Sequence, residues 1–129
     1  MGLEKKKMLV VDDNQNFSQL MCCLFEDYFE VFTAADGVEA LRLIAGRRPA
    51  IILTDVMMPG LSGIELVRAL NTGDGPRIPV LVITGSHFNR EIEQLFSQEG
   101  RVAGFLSKTS PLQDIFEKVL ETLGQPEAG

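Results

Sequence analysis

Four short apolar runs of the sequence each end in side chains that could take part in chemistry. Asp12 and Asp13 follow "MLVV", and Asp55 follows "IILT". Thr84 ends the run "VLVIT", and Lys108 follows "VAGFLS". If these runs are parallel strands of one sheet, their carboxyl ends lie at the same edge. The pattern therefore predicts that three carboxylates, a hydroxyl and an ammonium group converge on one rim.

Such a set of charges indicates a site for a metal ion and a phosphoryl group. Clustered carboxylates repel one another, and without a cation at least one of them is pushed toward protonation. Mg²⁺ relieves this repulsion, since it prefers oxygen ligands and keeps several waters. A metal and Lys108 can then share the charge of a phosphoryl group, while the Thr84 hydroxyl and backbone N–H groups donate to its oxygens. Asp55 is the natural nucleophile, because carboxylates form acyl phosphates.

Each of these residues, taken singly, has an ordinary structural explanation. Asp13 could cap the helix that follows it, because an acid at a strand end is a common N-cap. Thr84 could reflect β propensity alone, and Lys108 could be a surface lysine. Their joint position at the ends of four predicted strands favours the functional interpretation.

The elements that position these residues follow from the spacing of apolar side chains. The predicted strands are 8–11, 30–35, 51–54, 80–84 and 102–106, and the predicted helices are 14–27, 38–45, 62–70, 87–99 and 112–123. Strands that alternate with helices imply a parallel sheet covered on both faces, with right-handed crossovers. Leu20, Val38 and Leu95 are among the residues predicted to face the core. Gly46 and Pro49 are predicted to end the second helix.

Composition limits the classes of function. The chain has 129 residues, 45% of them hydrophobic, and a formal net charge of −6. This length predicts one domain, and the acidic balance argues against direct binding of nucleic acid, which needs a basic surface. The apolar runs are too short to span a bilayer, and no signal peptide is expected. Adjacent Cys22 and Cys23 cannot easily pair and suggest a reducing compartment, so a cytoplasmic location is predicted.

At these motifs the sequence resembles the receiver domain of two-component response regulators. The segments that carry the resemblance are "VVDDN", "LTDVMMPGLSG", "VITG" and "GFLSK", and it extends over about residues 7–123. It implies a flavodoxin-like (βα)5 fold, a doubly wound parallel α/β sheet with strand order 2-1-3-4-5 and helices on both faces. The receiver domain is expected to span 1–124, with 125–129 as a flexible tail or truncated linker.

The resemblance also implies roles for the acidic residues and their neighbours. Asp55 is expected to accept a phosphoryl group from a phosphohistidine. The implied Mg²⁺ ligands are Asp13, Asp55 and the backbone carbonyl of Met57, with Asp12 assisting through water. Val56 belongs to the implied cofactor-binding positions.

The remaining implied roles concern the phosphorylated state. Thr84 and the Gly85 amide are expected to bind the phosphoryl oxygens after transfer, and Lys108 is expected to pair with the phosphoryl group. Phe105 stands where the family has a rotating aromatic, which couples movement of Thr84 to the surface of the fourth helix, fifth strand and last helix. The domain would hydrolyse its own acyl phosphate and would not be an enzyme in the usual sense.

The resemblance implies two kinds of partner, one upstream and one downstream of the domain. A sensor histidine kinase or a phosphotransfer protein would donate the phosphoryl group, and a downstream effector or covalently linked output domain would read the result. Whether the chain is a stand-alone regulator, a phosphorelay intermediate or part of a larger protein stays open. No membrane partner is expected.

The segment after the lysine departs from the family, which usually has proline directly after it. Here the order is Lys108, Thr109, Ser110, Pro111. Either a cis bond before Thr109 is tolerated, at a cost of about 2.5–4 kcal/mol, or the loop follows another path. In the second case Ser110 would be the N-cap and Pro111 the first helical residue.

Two other functions stay open at this point. A pseudo-receiver would bind partners without being phosphorylated, and only the altered segment after Lys108 supports it. A small-molecule aspartyl-phosphate hydrolase usually carries a second acid two residues after its nucleophile, where this chain has Met57. A third function, flavin binding, is not favoured. It would need a phosphate-binding loop after the first strand, and the acidic "DDNQN" would repel that phosphate.

Overall fold

Strands and helices alternate along the whole chain. The computed structural model describes residues 5–56, 61–71, 77–85 and 90–124. Its elements are β1 (Lys6–Val11), α1 (Gln15–Phe25), β2 (Phe29–Ala34), α2 (Gly37–Arg47), β3 (Ile51–Asp55), α3 (Gly63–Asn71), β4 (Val80–Thr84), α4 (Arg90–Ser97), β5 (Val102–Ser107) and α5 (Leu112–Gly124). The predicted order of elements is confirmed. The predicted start of the fourth helix and the tail 125–129 lie outside the described residues.

The five strands form one parallel sheet in the order β2-β1-β3-β4-β5. The predicted flavodoxin-like architecture and strand order are therefore confirmed. Val11 of β1 lies beside Thr54 of β3, and Thr84 of β4 lies beside Ser107 of β5. Because neighbouring strands run parallel and end at nearly the same level, the residues that follow them emerge together at one edge of the sheet.

Helices cover both faces of the sheet, and each face has its own core. One core includes Ala40 of α2, Leu66 of α3 and Phe96 of α4. The other includes Met21 of α1 and Ile115 of α5. The central strands contribute to both cores, which explains why their sequences are nearly continuous apolar runs rather than alternating ones.

Three large apolar side chains predicted to face the core are instead exposed. Leu20, Val38 and Leu95 have 42%, 58% and 44% of their surface accessible. The periodicity identified the buried faces of α1, α4 and α5 but overestimated their width, and in α2 and α3 it did not single out Ala40 and Leu66, which are fully buried. Residues at the edge of an apolar stripe remain in solvent when no neighbouring element reaches them.

The second helix ends later than its sequence predicted. Gly46 lies inside α2, and the helix ends at Arg47, with Arg48 as its C-cap at a φ of 50°, in the left-handed region. A glycine inside a helix costs only about 1 kcal/mol relative to alanine, so it does not by itself stop the helix. The Arg48 N–H donates to the Ile44 carbonyl and closes the last turn.

No helix among the described residues is long and apolar enough to cross a membrane.

Candidate functional site

Asp12 and Asp13 lie directly after β1, at the carboxyl edge of the sheet. Asp12 is buried and Asp13 is exposed. Asp12 Oδ1 accepts a hydrogen bond from the Asn14 backbone N–H at 2.8 Å, and Asn14 Oδ1 accepts one from the Phe17 N–H at 3.2 Å. Asn14 is therefore the N-cap of α1, and the alternative that Asp13 caps this helix is wrong. The Asp13 carboxylate is not used by the cap.

Asp55 is the last residue of β3. Its Oδ1 accepts a hydrogen bond from the Val56 N–H at 2.8 Å. The Gly63 N–H donates to the Val56 carbonyl at 3.1 Å, and a Cβ at Gly63 would collide with the Asp55 carbonyl oxygen. Glycine at position 63 thus lets α3 begin directly against the residue that carries the carboxylate.

Lys108 lies just after β5 and directs its ammonium group between two carboxylates. Its Nζ is 2.7 Å from Asp12 Oδ2 and 3.3 Å from Asp55 Oδ2. The ring of Phe17 lies on another side, with its centroid 5.1 Å from Nζ. The Lys108 backbone N–H donates to the Thr84 carbonyl at 2.8 Å, which fixes the start of this loop against the end of β4.

The electrostatics of the site reflect burial of like charges. Burial raises the pKa of Asp55, the Asp12 carboxylate raises it further, and Lys108 offsets these effects only in part. Partial burial alone would lower the pKa of Lys108, but its ion pairs with Asp12 and Asp55 outweigh this effect and raise that pKa. One ammonium group therefore does not balance the carboxylates around it.

The acidic residues fit a divalent cation. Asp12, Asp13 and Asp55 each offer a carboxylate oxygen, and these oxygens lie within 4.8 Å of one another. Asp12 Oδ2 is buried and forms an ion pair with Lys108, but no hydrogen-bond donor of the described residues is aligned with it. A hard cation that prefers oxygen ligands matches this donor set. Met57, whose carbonyl was predicted as a further ligand, lies outside the described residues.

The predicted switch residues occupy the neighbouring strands. Thr84 is buried at the end of β4, and its hydroxyl donates to the Leu106 carbonyl at 3.1 Å. Gly85 follows at an exposed position, where a Cβ would have no atom of the described residues within 4 Å. Phe105 is partly buried and packs edge-on against Phe96 of α4, with ring centroids 6.3 Å apart. Phe105 thus lies on a face of the sheet, away from the carboxylates.

Hydroxyl groups hold the loop after β5, where the family usually has proline. Ser107 Oγ lies 2.7 Å from Thr109 Oγ1 and accepts from the Thr109 N–H at 3.1 Å, and the Ser110 N–H donates to the Ser107 carbonyl at 3.0 Å. The described part of the chain contains no cis peptide bond, so the loop takes the second predicted path. Since α5 begins at Leu112, Pro111 precedes the helix, and its predicted place inside the helix was one residue early.

Sequence reasoning missed one residue of this site. Phe17 was predicted only as part of the apolar stripe of α1, and it does belong to that core. Its ring also faces the ammonium group of Lys108. The sequence did contain one indication of this contact. Phe17 lies in the first turn of α1, and the N-cap of that helix directly follows Asp13.

Comparison with known proteins agrees with this geometry. A model of the response regulator receiver domain matches residues 8–120. The response regulator PleD of Caulobacter vibrioides is 36% identical over 135 aligned residues, which cover 95% of this chain and 29% of PleD. Hybrid signal transduction histidine kinase D of Dictyostelium discoideum is 32% identical over 126 residues, which cover 96% of this chain and 8% of that protein.

A solved structure shows the same fold. The signal receiver domain of the putative response regulator NarL from Mycobacterium tuberculosis superimposes with a TM-score of 0.83 and 31% identity, covering 95% of this chain and all of that one. The chain spans less than a third of PleD and of the hybrid kinase. With a family match over most of its length and this sheet order, the chain belongs to the response regulator receiver domain family of two-component signalling.

Proposed function

We propose that this chain is a phosphorylation-activated switch whose phosphoryl acceptor is Asp55. The observation that supports this most strongly is the bridging position of Lys108, between Asp12 and Asp55 and beside a third carboxylate, Asp13. A site with this excess of negative charge is suited to a divalent cation, and the cation prepares it for a phosphoryl group. The domain would catalyse only its own phosphorylation and dephosphorylation.

The transfer step follows from the positions of the side chains. An Asp55 carboxylate oxygen forms a bond to phosphorus as the P–N bond of a phosphohistidine breaks, and the bonding electrons stay on the imidazole nitrogen. Asp13 and Asp55 would hold Mg²⁺, with Asp12 through water and the Met57 carbonyl, and the ion would neutralise charge on the phosphoryl oxygens. Lys108 starts 3.3 Å from Asp55 Oδ2, within reach of a phosphoryl oxygen on that residue.

Phosphorylation would change the structure first at the ends of β4 and β5, next to the site. Thr84 and the Gly85 amide would donate to the phosphoryl oxygens, and Thr84 would have to move to do so. Phe105 lies one residue before Leu106, whose carbonyl accepts from the Thr84 hydroxyl. Its packing against Phe96 supports a link to the surface formed by α4, β5 and α5.

The partners follow from the same chemistry. The donor would be a sensor histidine kinase or a phosphotransfer protein, and kinship with a segment of a hybrid histidine kinase supports this class of donor. The receiver of the signal would be a downstream effector or a linked output domain. We infer a cytoplasmic location, because free Cys22 and Cys23 suit a reducing compartment.

Incubation of the purified protein with Mg²⁺ and acetyl phosphate tests this function. Intact-mass spectrometry should show the addition of one phosphoryl group to the wild type and none to Asp55→Ala. Since rapid hydrolysis could hide the adduct, ¹⁹F NMR of bound beryllofluoride in the same two proteins gives a second readout. A mass gain that survives Asp55→Ala, or the absence of both signals from the wild type, would contradict the proposal.

A pseudo-receiver that binds partners without phosphorylation is the alternative. It rests on the unusual loop after β5, yet that loop still places Lys108 between the carboxylates. A calorimetric titration with Mg²⁺ separates the two functions, because an inactive site should not bind the metal. Asp13→Asn is the matched control, since it removes one exposed carboxylate without disturbing the buried ion pair.

A further inference from the structure

We propose that Phe17 is a positioning residue, whose ring holds the Lys108 ammonium group beside Asp55 through a cation–π contact. The inference rests on the proposed function as far as it concerns phosphoryl binding. The ring centroid lies 5.1 Å from Nζ, within the distance of about 6 Å at which such contacts stabilise a cation. Only 8% of the Phe17 surface is exposed, so little water separates the ring from its surroundings.

The ring is fixed to the same turn that carries the acidic pair. The Phe17 N–H donates to Asn14 Oδ1, and the Asn14 N–H donates to Asp12 Oδ1. Asp12, whose other oxygen pairs with Lys108, and Phe17 are thus joined through one short chain of hydrogen bonds at the start of α1. These hydrogen bonds hold the backbone that carries the Phe17 ring close to Asp12, so both groups approach Lys108 from the same turn.

An aromatic ring suits this place better than a further acceptor. The ammonium group has three N–H donors, and it already pairs with the Asp12 and Asp55 carboxylates. A carboxylate or amide at position 17 would draw Lys108 toward α1. The face of Phe17 attracts the positive charge without offering an oxygen that competes with the phosphoryl group.

The competing explanation is that Phe17 only fills the core. Phe25, on the same helix, supplies the matched comparison because it is buried in the same core and packs on Phe29 and Phe116. Truncation to leucine removes a similar volume at either position. Only the change at position 17 removes a ring from above the ammonium group.

The first test is an NMR measurement that needs no phosphorylation. A ring over Lys108 should displace the resonances of its ε-methylene protons upfield through the ring current. We expect this displacement in the wild type, in Phe17→Tyr and in Phe25→Leu, and its loss in Phe17→Leu. Unperturbed ε-methylene shifts in the wild type, or shifts unchanged by Phe17→Leu, would overturn the contact.

The second test measures beryllofluoride affinity in the presence of Mg²⁺ by ¹⁹F NMR. Phe17→Leu should weaken binding roughly two- to tenfold, whereas Phe17→Tyr and Phe25→Leu should bind like the wild type. An equal loss in Phe17→Leu and Phe25→Leu would show a packing effect only and would overturn the positioning role. Failure of the wild type to bind beryllofluoride would count against the proposed function instead, and the proton shifts of Lys108 would then decide the contact.

Discussion

Lys108 Nζ lies 0.6 Å closer to Asp12 Oδ2 than to Asp55 Oδ2, at 2.7 Å against 3.3 Å. Lys108 is thus closer to buried Asp12 than to Asp55, the predicted phosphoryl acceptor. Asp12 has 2% of its side chain exposed and Asp55 has 12%. The shorter ion pair therefore stabilises Asp12, because the more buried carboxylate is the more costly one to leave charged and unpaired.

Asp55→Asn should stabilise the metal-free protein at neutral pH. Burial and the Asp12 charge raise the pKa of Asp55 above its usual value. A raised folded-state pKa contributes stability below the unfolded-state pKa, and that contribution is lost as pH rises through the folded-state pKa. Ionised Asp55 therefore opposes folding at neutral pH, and its neutral isostere does not. Urea unfolding in EDTA should show a higher midpoint for Asp55→Asn at about pH 7 and a smaller gain near about pH 3.

Exposed Asp27 provides the control for this effect. Asp27→Asn removes a carboxylate that lies outside the acidic cluster, so its urea midpoint should stay near that of the wild type at both pH values. Saturating Mg²⁺ should reduce the advantage of Asp55→Asn, since the ion relieves the same repulsion in the wild type. A lower midpoint for Asp55→Asn at neutral pH would refute this account of the site.

Lys108→Gln should destabilise the metal-free protein by on the order of 3 kcal/mol, because it leaves the buried Asp12 charge without a counter-ion. Urea unfolding in EDTA measures the loss, and Mg²⁺ should recover part of it. Lys118→Gln is the matched control, since partly buried Lys118 pairs only with Glu121, whose side chain is 62% exposed, among the described residues. Such a surface pair contributes about 0–1 kcal/mol. Equal losses for the two variants would mean that Asp12 does not depend on Lys108.

Gly63→Ala should impair both folding and phosphorylation. The added Cβ would collide with the Asp55 carbonyl oxygen, so either the end of β3 or the start of α3 must shift. Overpacking of this kind costs about 1–3 kcal/mol, and displacement of Asp55 should slow labelling by acetyl phosphate. Urea unfolding and intact-mass time courses measure the two effects.

Gly46→Ala makes the same chemical change where there is space. In the part of the chain that the structure describes, nothing lies within 4 Å of a Cβ at Gly46, which sits inside α2. Alanine there should stabilise the protein by about 0.5–1 kcal/mol and leave the labelling rate unchanged. If Gly63→Ala and Gly46→Ala had the same effects on stability and labelling rate, the close approach of α3 to Asp55 would not matter for phosphorylation.

Glu65→Gln should alter the acid dependence of stability through the start of α3. Glu65 Oε1 accepts from the Ser62 N–H and hydroxyl, and these hydrogen bonds lower the pKa of Glu65. A lowered folded-state pKa contributes stability above the unfolded-state pKa, and that contribution disappears as pH falls through the folded-state pKa. Wild type and Glu65→Gln should therefore differ most near about pH 7 and converge near about pH 3.

Urea midpoints at several pH values check this prediction. Glu30→Gln, at an exposed position of β2, serves as the comparison because no helix cap depends on it. A gap between wild type and Glu65→Gln that widens on acidification would reverse the expected sign and exclude the capping explanation.

The sequence predicted the convergence of the site because topology alone enforces it. Continuous apolar runs such as the one before Asp55 mark strands that are buried on both faces, and parallel pairing brings their carboxyl ends together. Periodicity could not predict how far a helix face is buried, which depends on neighbouring elements, and so Leu20 and Val38 were misplaced. The ring of Phe17 above Lys108 depends on side-chain directions that periodicity does not encode. The roles assigned to these residues in phosphoryl transfer stay predictions.

The hydrogen bond from Thr84 to the Leu106 carbonyl has a consequence for the resting protein. A hydroxyl carries a single proton, so Thr84 can donate it to Leu106 or to an incoming anion, but not to both. Leaving the partly buried Leu106 carbonyl without its hydrogen bond costs about 1–3 kcal/mol. This cost favours the conformation in which Thr84 donates to Leu106 whenever no anion is present. A bias of that size corresponds to a roughly five- to hundredfold excess of inactive molecules, which would keep spontaneous signalling low without any further inhibitory element.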